Sequence, residues 1–365
     1  MFRGEYGFRD TEAQLPKTDD TIVRIYSMTK PIACVAVMSL VEEAKLRLTD
    51  PVSAFLPAFG SLRVMTDDGA FTDLRRPMTV HDLLTHTSGL TNEVQPTLAS
   101  ASSREARLHY DASRCLEAFV DVIGRLPLAF QPGERWHYSA GIDVAARVAE
   151  VVTGQPFDRL LEERVLAPLG MVDTAFGVPS DKVDRLAAIY GLPDVFGIGV
   201  SGATIQQAMT AGVNERIDVS DTHPVDRPDV FVRGGFGLYS TLNDYLRFAH
   251  MLANRGELDG TRVLGTKTVE LMYMNHLPAA LLPFAPAGVE EHGWGFGFGS
   301  RVLLDVASTG ALGSIGEHRW PGAANTYYWV DPTEALVGVL MTQYMLGFAG
   351  PEHDLHTLAY QAITD

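Results

Sequence analysis

The chain has 365 residues, enough to bury a large core, and its 46% hydrophobic and 20% charged residues are ordinary for a globular protein in water. A formal net charge of −16, with no run of lysine or arginine, argues against a nucleic-acid partner. No stretch reaches the length of a membrane span, the first residues lack a signal-peptide pattern, and Cys34 and Cys115 are the only cysteines, so the expectation is a cytoplasmic protein with free thiols and no membrane partner.

Arg3 to Asp10 reads as the end of a strand leading into a polar connection. Ser27-Met28-Thr29-Lys30 then opens an apolar run that continues through Met38. Proline is tolerated in the first helical turn, where its missing N–H would be unpaired anyway, so Pro31 sets the helix start at about Ser27 or Met28. The end is expected near Lys45, with Cys34 buried inside the helix. Thr79-Val80-His81-Asp82 is a capping-box pattern ahead of Leu83-Leu84, and Gly89 is placed to stop that short helix. Gln131 to Ala140 is a turn-rich loop that delivers Tyr138 just before a helix from Ala140 to Val152. A second helix follows through Leu160, Leu161, Val165 and Leu166. Residues 190–232, rich in Gly, Pro and Asp and poor in period, read as long functional loops. Thr241 caps a helix over Tyr245 to Asn254, ended by Gly256.

The last third changes character. Trp294–Phe298 and Arg301–Leu304 read as strands, and Tyr327–Val330 and Leu336–Met341, joined by a short turn, read as an antiparallel hairpin of two buried strands. A helix from about Glu352 to Ile363 is expected to cover the sheet. The fold class is α+β: an antiparallel sheet flanked by helices, carried by residues 1–50 and 225–365, with a mainly helical lobe and active-site loops over 51–224.

Ser27 and Lys30 lie three residues apart on one helical face, so the amine can reach the hydroxyl. A serine is unreactive near neutral pH until a base takes its proton, and a desolvated amine can be that base. At the positive end of the helix dipole the Ser27 N–H points outward as half of an oxyanion hole. A phenol close to an ammonium can relay protons to a leaving group, a role open to Tyr138. Ile315 to Ala324 leads into the Tyr327 strand with small residues that admit a substrate to the strand edge, and the Ala323 N–H is a candidate second oxyanion donor. Each piece has a bland reading when met singly: two solvated side chains, an aromatic beneath a loop, a turn before a strand.

Together the pieces resemble the serine β-lactamase-like hydrolases: class C β-lactamases, D-alanyl-D-alanine carboxypeptidases and, closest, the family VIII carboxylesterases. The matching segments are Ser27-Met28-Thr29-Lys30-Pro31, Leu83-Leu84-Thr85-His86-Thr87-Ser88-Gly89-Leu90, and Pro132-Gly133-Glu134 with Tyr138-Ser139. Pro168-Leu169-Gly170-Met171 with Asp173-Thr174, Gly234-Gly235-x-Gly237-Leu238 with Ser240-Thr241, and Trp320-x-Gly322 complete the order. The resemblance implies Ser27 as acylated nucleophile, Lys30 as its base, Tyr138 as general acid/base, and the Ser27 and Ala323 N–H groups as oxyanion hole. Tyr26, Trp320, Gly322 and His318 form the expected substrate-contacting set. No cofactor or metal is implied.

The departures bear on substrate. Where β-lactamases carry Lys-Thr-Gly this chain reads Trp320-Pro321-Gly322, replacing a cation that holds a carboxylate, a contact of roughly 1.5–3 kcal/mol, by an apolar wall. His318 and Arg319 stand nearby in sequence as substitute cations. The Tyr-x-Asn pattern reads Tyr138-Ser139-Ala140, without the amide. Family members also carry a helix and a strand ahead of the segment matching Arg3 to Asp10, so a sheet edge is expected to need another cover, as in a homodimer. Gly-x-Ser-x-Gly and His-Glu-x-x-His are absent, and His81 and His86 are five apart, off one helical face, which sets aside α/β-hydrolase and metal-hydrolase readings. The expectation is a serine carboxylesterase for small, short-acyl esters with weak β-lactam hydrolysis as a side activity. The alternatives are a β-lactamase, a D-Ala-D-Ala peptidase-type amide hydrolase, or an acyltransferase on the same acyl-enzyme.

Overall fold

A helix that is apolar on all sides must be enclosed on all sides. In a computed structural model, which describes residues 2–92, 97–109, 111–191, 215–286, 289–345 and 351–364, the apolar run after Ser27 forms the helix Thr29–Glu42, with every residue from Thr29 to Leu40 buried. It ends earlier than Lys45 because Ala44 turns into the left-handed region at φ +56°, and the Lys45 and Leu46 N–H groups close back onto Leu40 O. Cys34, buried at its middle, and exposed Cys115 are both free thiols.

One side of this helix packs on helices Gly141–Thr153 and Phe157–Leu161, and the latter continues through a π-helical turn at Glu162–Leu166. The other side meets the sheet so closely that a Cβ on Gly299 would stand 3.0 Å from Cys34 Sγ and 3.1 Å from the Lys30 carbonyl carbon. The capping box forms as read: Thr79 and Asp82 exchange backbone and side-chain hydrogen bonds at the start of Val80–Leu84.

The sheet is a five-stranded antiparallel meander in chain order: Trp294–Phe296, Arg301–Leu303, His318–Gly322, Thr326–Asp331 and Leu336–Leu340. Alternation along His318–Gly322 buries His318, Trp320 and Gly322 on the inner face and turns Arg319 and Pro321 to the outer one. Trp320 pairs with Tyr328, and Arg319 with Trp329. Helix Leu242–Ala253, capped by Thr241 as expected, covers the inner face, its Tyr245 ring 5.3 Å from Tyr328. Helix Glu352–Gln361 covers the outer face, where Tyr360 donates to Glu317 and Asp331, each at 2.6 Å, and His356 lies 5.2 Å from Trp329.

Leu336–Leu340 departs from its reading as a buried strand: all five residues are only half-buried, and among the described residues it is paired on one side alone, to Thr326–Asp331. The molecule is α+β. Of the 190–232 segment, 192–214 lies outside the described residues, while Tyr190–Gly191 pairs in parallel with Tyr344–Met345. No helix among the described residues is long and apolar enough to cross a membrane.

Candidate active site

The approach to Ser27 is built by short backbone pairings. Val23–Arg24 pairs antiparallel with Tyr239–Ser240, and the Ile25 N–H donates to Leu238 O at 3.1 Å. Tyr26 then adopts φ +43°, a left-handed conformation that costs a non-glycine residue roughly 1–2 kcal/mol. That kink turns the chain into a 3-10 turn, Tyr26–Met28, so Ser27 sits immediately ahead of the α-helix rather than inside it. Tyr245 donates to Met28 O at 2.9 Å and the Leu238 N–H to Thr29 Oγ1 at 3.1 Å, holding the strained turn from both sides.

Lys30 projects from the first turn of the helix back along the face of Ser27. Its Nζ donates to Ser27 Oγ at 3.3 Å and to Gly235 O at 2.7 Å, and lies 4.4 Å from the Tyr138 ring centroid. Tyr138 donates to the same Ser27 oxygen at 2.7 Å. One hydroxyl thus receives two hydrogen bonds, from an amine one turn away and a phenol from a distant loop.

The loop that carries Tyr138 is braced by the Thr85–Gly89 turn. Gly133 N–H donates to Thr87 O at 2.7 Å, Ala129 N–H to Gly89 O at 2.8 Å, and His137 N–H to His86 O at 2.9 Å. Gly89, at φ +85°, sits so close to the loop that a Cβ would fall 2.2 Å from Phe130 O. His86 Nδ1 accepts the Ser139 N–H at 3.3 Å, and its ring lies 4.8 Å from Tyr138. Burial first, then Lys30 and His137, hold the His86 ring well below the ordinary histidine range, so it is a neutral brace. Asn92 Nδ2 donates to Tyr138 O at 2.8 Å.

The substrate-side residues divide. Trp320 comes to the site: its ring centroid is 5.5 Å from that of Tyr138, and its Nε1 points at the Tyr138 hydroxyl from 3.4 Å. Gly322 lies against the chain just before Ser27, where a Cβ would stand 2.3 Å from Ile25 O, and half-buried Ala323 follows it in the tight turn closed by Asn325 N–H to Gly322 O. Two residues of the expected set go elsewhere. The Tyr26 ring turns into a satellite core with Ile189, Val219, Ala324 and Met345, 4.9 Å from His223, because the left-handed backbone swings it away from Ser27. His318 is 2% exposed and stacks on Tyr273 at 3.5 Å, burial holding it down to about 3, and Arg319 lies on the outer face over Trp294 and paired to Glu317. Neither offers a cation at Ser27.

Trp136 was given no role by sequence, yet its ring stacks with Tyr138 at 6.3 Å and meets Phe284 and Phe296 at 4.8 and 5.4 Å. With Trp320, which lies 5.3 Å from Phe296, it makes the wall beside Tyr138 aromatic. The signal was its position, two residues before Tyr138, where loop alternation sends both side chains the same way.

A family model described as "Beta-lactamase" matches residues 1–362. The chain belongs to the beta-lactamase family. Within it, the chain is 35% identical to Protein Rv1367c of Mycobacterium tuberculosis over 348 residues, covering 93% of this chain and 82% of that one. It is 32% identical to "Esterase EstB" of Burkholderia gladioli over 363 residues, covering 96% and 85%. Among solved structures it superposes on "EstCE1, a hydrolase with promiscuous acyltransferase activity" with a TM-score of 0.76 and 26% identity, covering 97% and 88%. This branch of the beta-lactamase family comprises serine hydrolases and acyltransferases on one fold.

Proposed function

We propose that the protein is a serine carboxylesterase that cleaves small, neutral esters with short acyl chains through a covalent acyl-enzyme on Ser27. The observation that carries this reading is the convergence on one oxygen, with Tyr138 at 2.7 Å and Lys30 at 3.3 Å. Ser27 Oγ attacks the ester carbonyl while its proton passes to the Lys30–Tyr138 pair. The ester C–O bond then breaks, and Tyr138 returns the proton to the departing alkoxide. Water attacks the acyl carbon by the reverse transfer, and the acid leaves. The Ser27 and Ala323 N–H groups serve the oxyanion, each such donor contributing roughly two to three orders of magnitude.

Three features support a neutral ester over a β-lactam. Trp320 presents an apolar face where a carboxylate-binding cation would be needed, Ala140 supplies no amide, and the nearby cations of the strand point away: His318 is neutral in the core and Arg319 is paired to Glu317. EstB is named an esterase, which favours the same class. Acyl transfer to an alcohol is the second reading, favoured by the promiscuous acyltransferase activity for which EstCE1 is named, since an alcohol can replace water on the same acyl-enzyme. The test compares kcat/KM for p-nitrophenyl esters of increasing chain length with nitrocefin. Acetate or butyrate should be best, Ser27→Ala should abolish turnover, and a far higher kcat/KM for nitrocefin would overturn the substrate class.

A further inference from the structure

Once Ser27 Oγ is esterified, it no longer anchors Lys30 as a free hydroxyl, and the shorter of the two contacts of the amine, to Gly235 O at 2.7 Å, becomes its main tether. Gly235 is itself fixed. Its N–H donates to Asp143 Oδ1 at 2.9 Å, and a Cβ on it would stand 2.5 Å from Asp143 Oδ2. The carboxylate fills the space a side chain would need. Gly234 is pressed likewise, its Cβ position 2.9 Å from Ala146 Cβ and 3.0 Å from Ile142 O. Both glycines therefore dock on the first turns of helix Gly141–Thr153, the helix that begins three residues after Tyr138.

Asp143 is 2% exposed, in a region that also holds two cations. The charged and titratable groups that face it are Lys30 from the nucleophile helix, Arg233 from the segment leading into Gly234, and His109. Arg233 is buried and donates to Val232 O at 2.9 Å and Arg114 O at 2.8 Å, so it finds backbone partners while its charge is felt by Asp143. Two cations taken out of water call for a counter-charge.

We propose that Asp143 is a positioning residue for this chemistry: it locks the Gly235 peptide whose carbonyl aims the Lys30 amine at Ser27, and it supplies the negative charge that offsets Lys30 and Arg233. The proposal rests on the reading of Ser27 as the acylated nucleophile. Burial raises the Asp143 carboxyl above its ordinary value, and the Gly235 N–H, Lys30, His109 and Arg233 oppose that rise without cancelling it.

The two parts of the role separate by substitution. In Asp143→Asn an amide oxygen still accepts the Gly235 N–H, but the charge is gone. With that counter-charge removed from the site, the acid limb of kcat/KM for p-nitrophenyl acetate should move to lower pH by about half a unit or more. In Asp143→Ala the lock is gone as well, and kcat should fall by roughly 10- to 100-fold with KM little changed, the size of effect expected from a misplaced reacting group. Each variant is measured beside the wild type for its pH profile, its melting temperature and its labelling at Ser27 by a fluorophosphonate. A displaced acid limb in Asp143→Asn at near-normal melting temperature supports the proposal. An Asn variant whose profile and kcat superimpose on the wild type overturns it, whether or not the Ala variant folds. A wild type that neither turns over esters nor labels at Ser27 overturns the esterase reading itself, a result distinct from an active wild type with indifferent variants.

Discussion

Tyr138 and Ser27, 111 residues apart in sequence, share a 2.7 Å hydrogen bond, whereas Lys30 reaches the same oxygen from only three residues away. The two contacts differ in what secures them. Helical geometry alone brings the amine to the hydroxyl. The phenol arrives only because the Thr85–Gly89 turn, His86 and Asn92 fix the loop around it.

Tyr138→Phe isolates the phenol oxygen. The ring, its packing on Trp136 and Trp320, and its contact with Lys30 remain, so the fold should be untouched. A lost general acid typically lowers kcat by roughly 100- to 10,000-fold, and that loss with KM nearly constant is the expected result with p-nitrophenyl acetate. A variant with more than a tenth of wild-type kcat would show that Lys30 moves the protons unaided.

How much of this could be read in advance follows from the range of each interaction. Ser27, Lys30 and the apolar helix are legible because their geometry is local and periodic. Four of the five strands of the last third are legible because turn residues bound their apolar runs, a short turn making Thr326–Asp331 and Leu336–Leu340 antiparallel. His318–Gly322, read only as a lead-in to the Tyr327 strand, is a strand of its own in the middle of the sheet. The fates of Tyr26 and His318 are not. Nothing in the order of residues says that Tyr26 takes φ +43°, or that Tyr273, from the end of a separate helix, stacks on His318. Leu336–Leu340 misleads for a related reason: an apolar five-residue strand looks the same at the centre of a sheet as at its edge. Asp143 carries no motif signal of its own, since its partner Gly235 lies 92 residues away.

Four buried histidines set an acid limit on stability. Burial holds His137 down to about 4 and His318 down to about 3, and keeps His86 and His223 well below the ordinary 6.5. Each is neutral in the native state and takes a proton on unfolding once pH falls below 6.5, so the stability it contributes is complete above that value and lost on the way down to its native pKa. The loss is on the order of 1 kcal/mol per pH unit for each such histidine. Urea midpoints should therefore drop steeply between about pH 6.5 and about pH 4, and His318→Leu should flatten the slope by one proton. A midpoint that is level across this window would mean these rings are protonated in the folded protein.

The indole of Trp320 has two separable parts, a ring that walls the site and an N–H aimed at the Tyr138 hydroxyl from 3.4 Å. That contact is long, so Trp320→Phe should lower kcat/KM by no more than about tenfold. Trp320→Ala removes a side chain that is 6% exposed and leaves a cavity beside Phe296 and Tyr138. It should cost about 3–5 kcal/mol in urea unfolding and loosen the phenol, with a larger kinetic loss than the Phe variant. Equal losses in the two variants would shift the role from the ring to the N–H.

Gly322 tests how tightly the strand must approach the Ser27 segment. An added methyl would sit 2.1 Å from Thr326 Oγ1 and 2.3 Å from Ile25 O, and the second of these is backbone that cannot rotate aside. Gly322→Ala must push strand His318–Gly322 and the following turn away from the Ile25–Ser27 segment, carrying the Ala323 N–H with them. A displacement of about 1 Å at a reacting group can lower a rate by roughly 100-fold, and kcat should fall by that order. Fluorophosphonate labelling should slow in parallel if the proposed Ser27 and Ala323 donors serve its oxyanion-like transition state, while circular dichroism should still report a folded α+β protein. Wild-type kcat in Gly322→Ala would mean that the oxyanion is held by groups other than this turn.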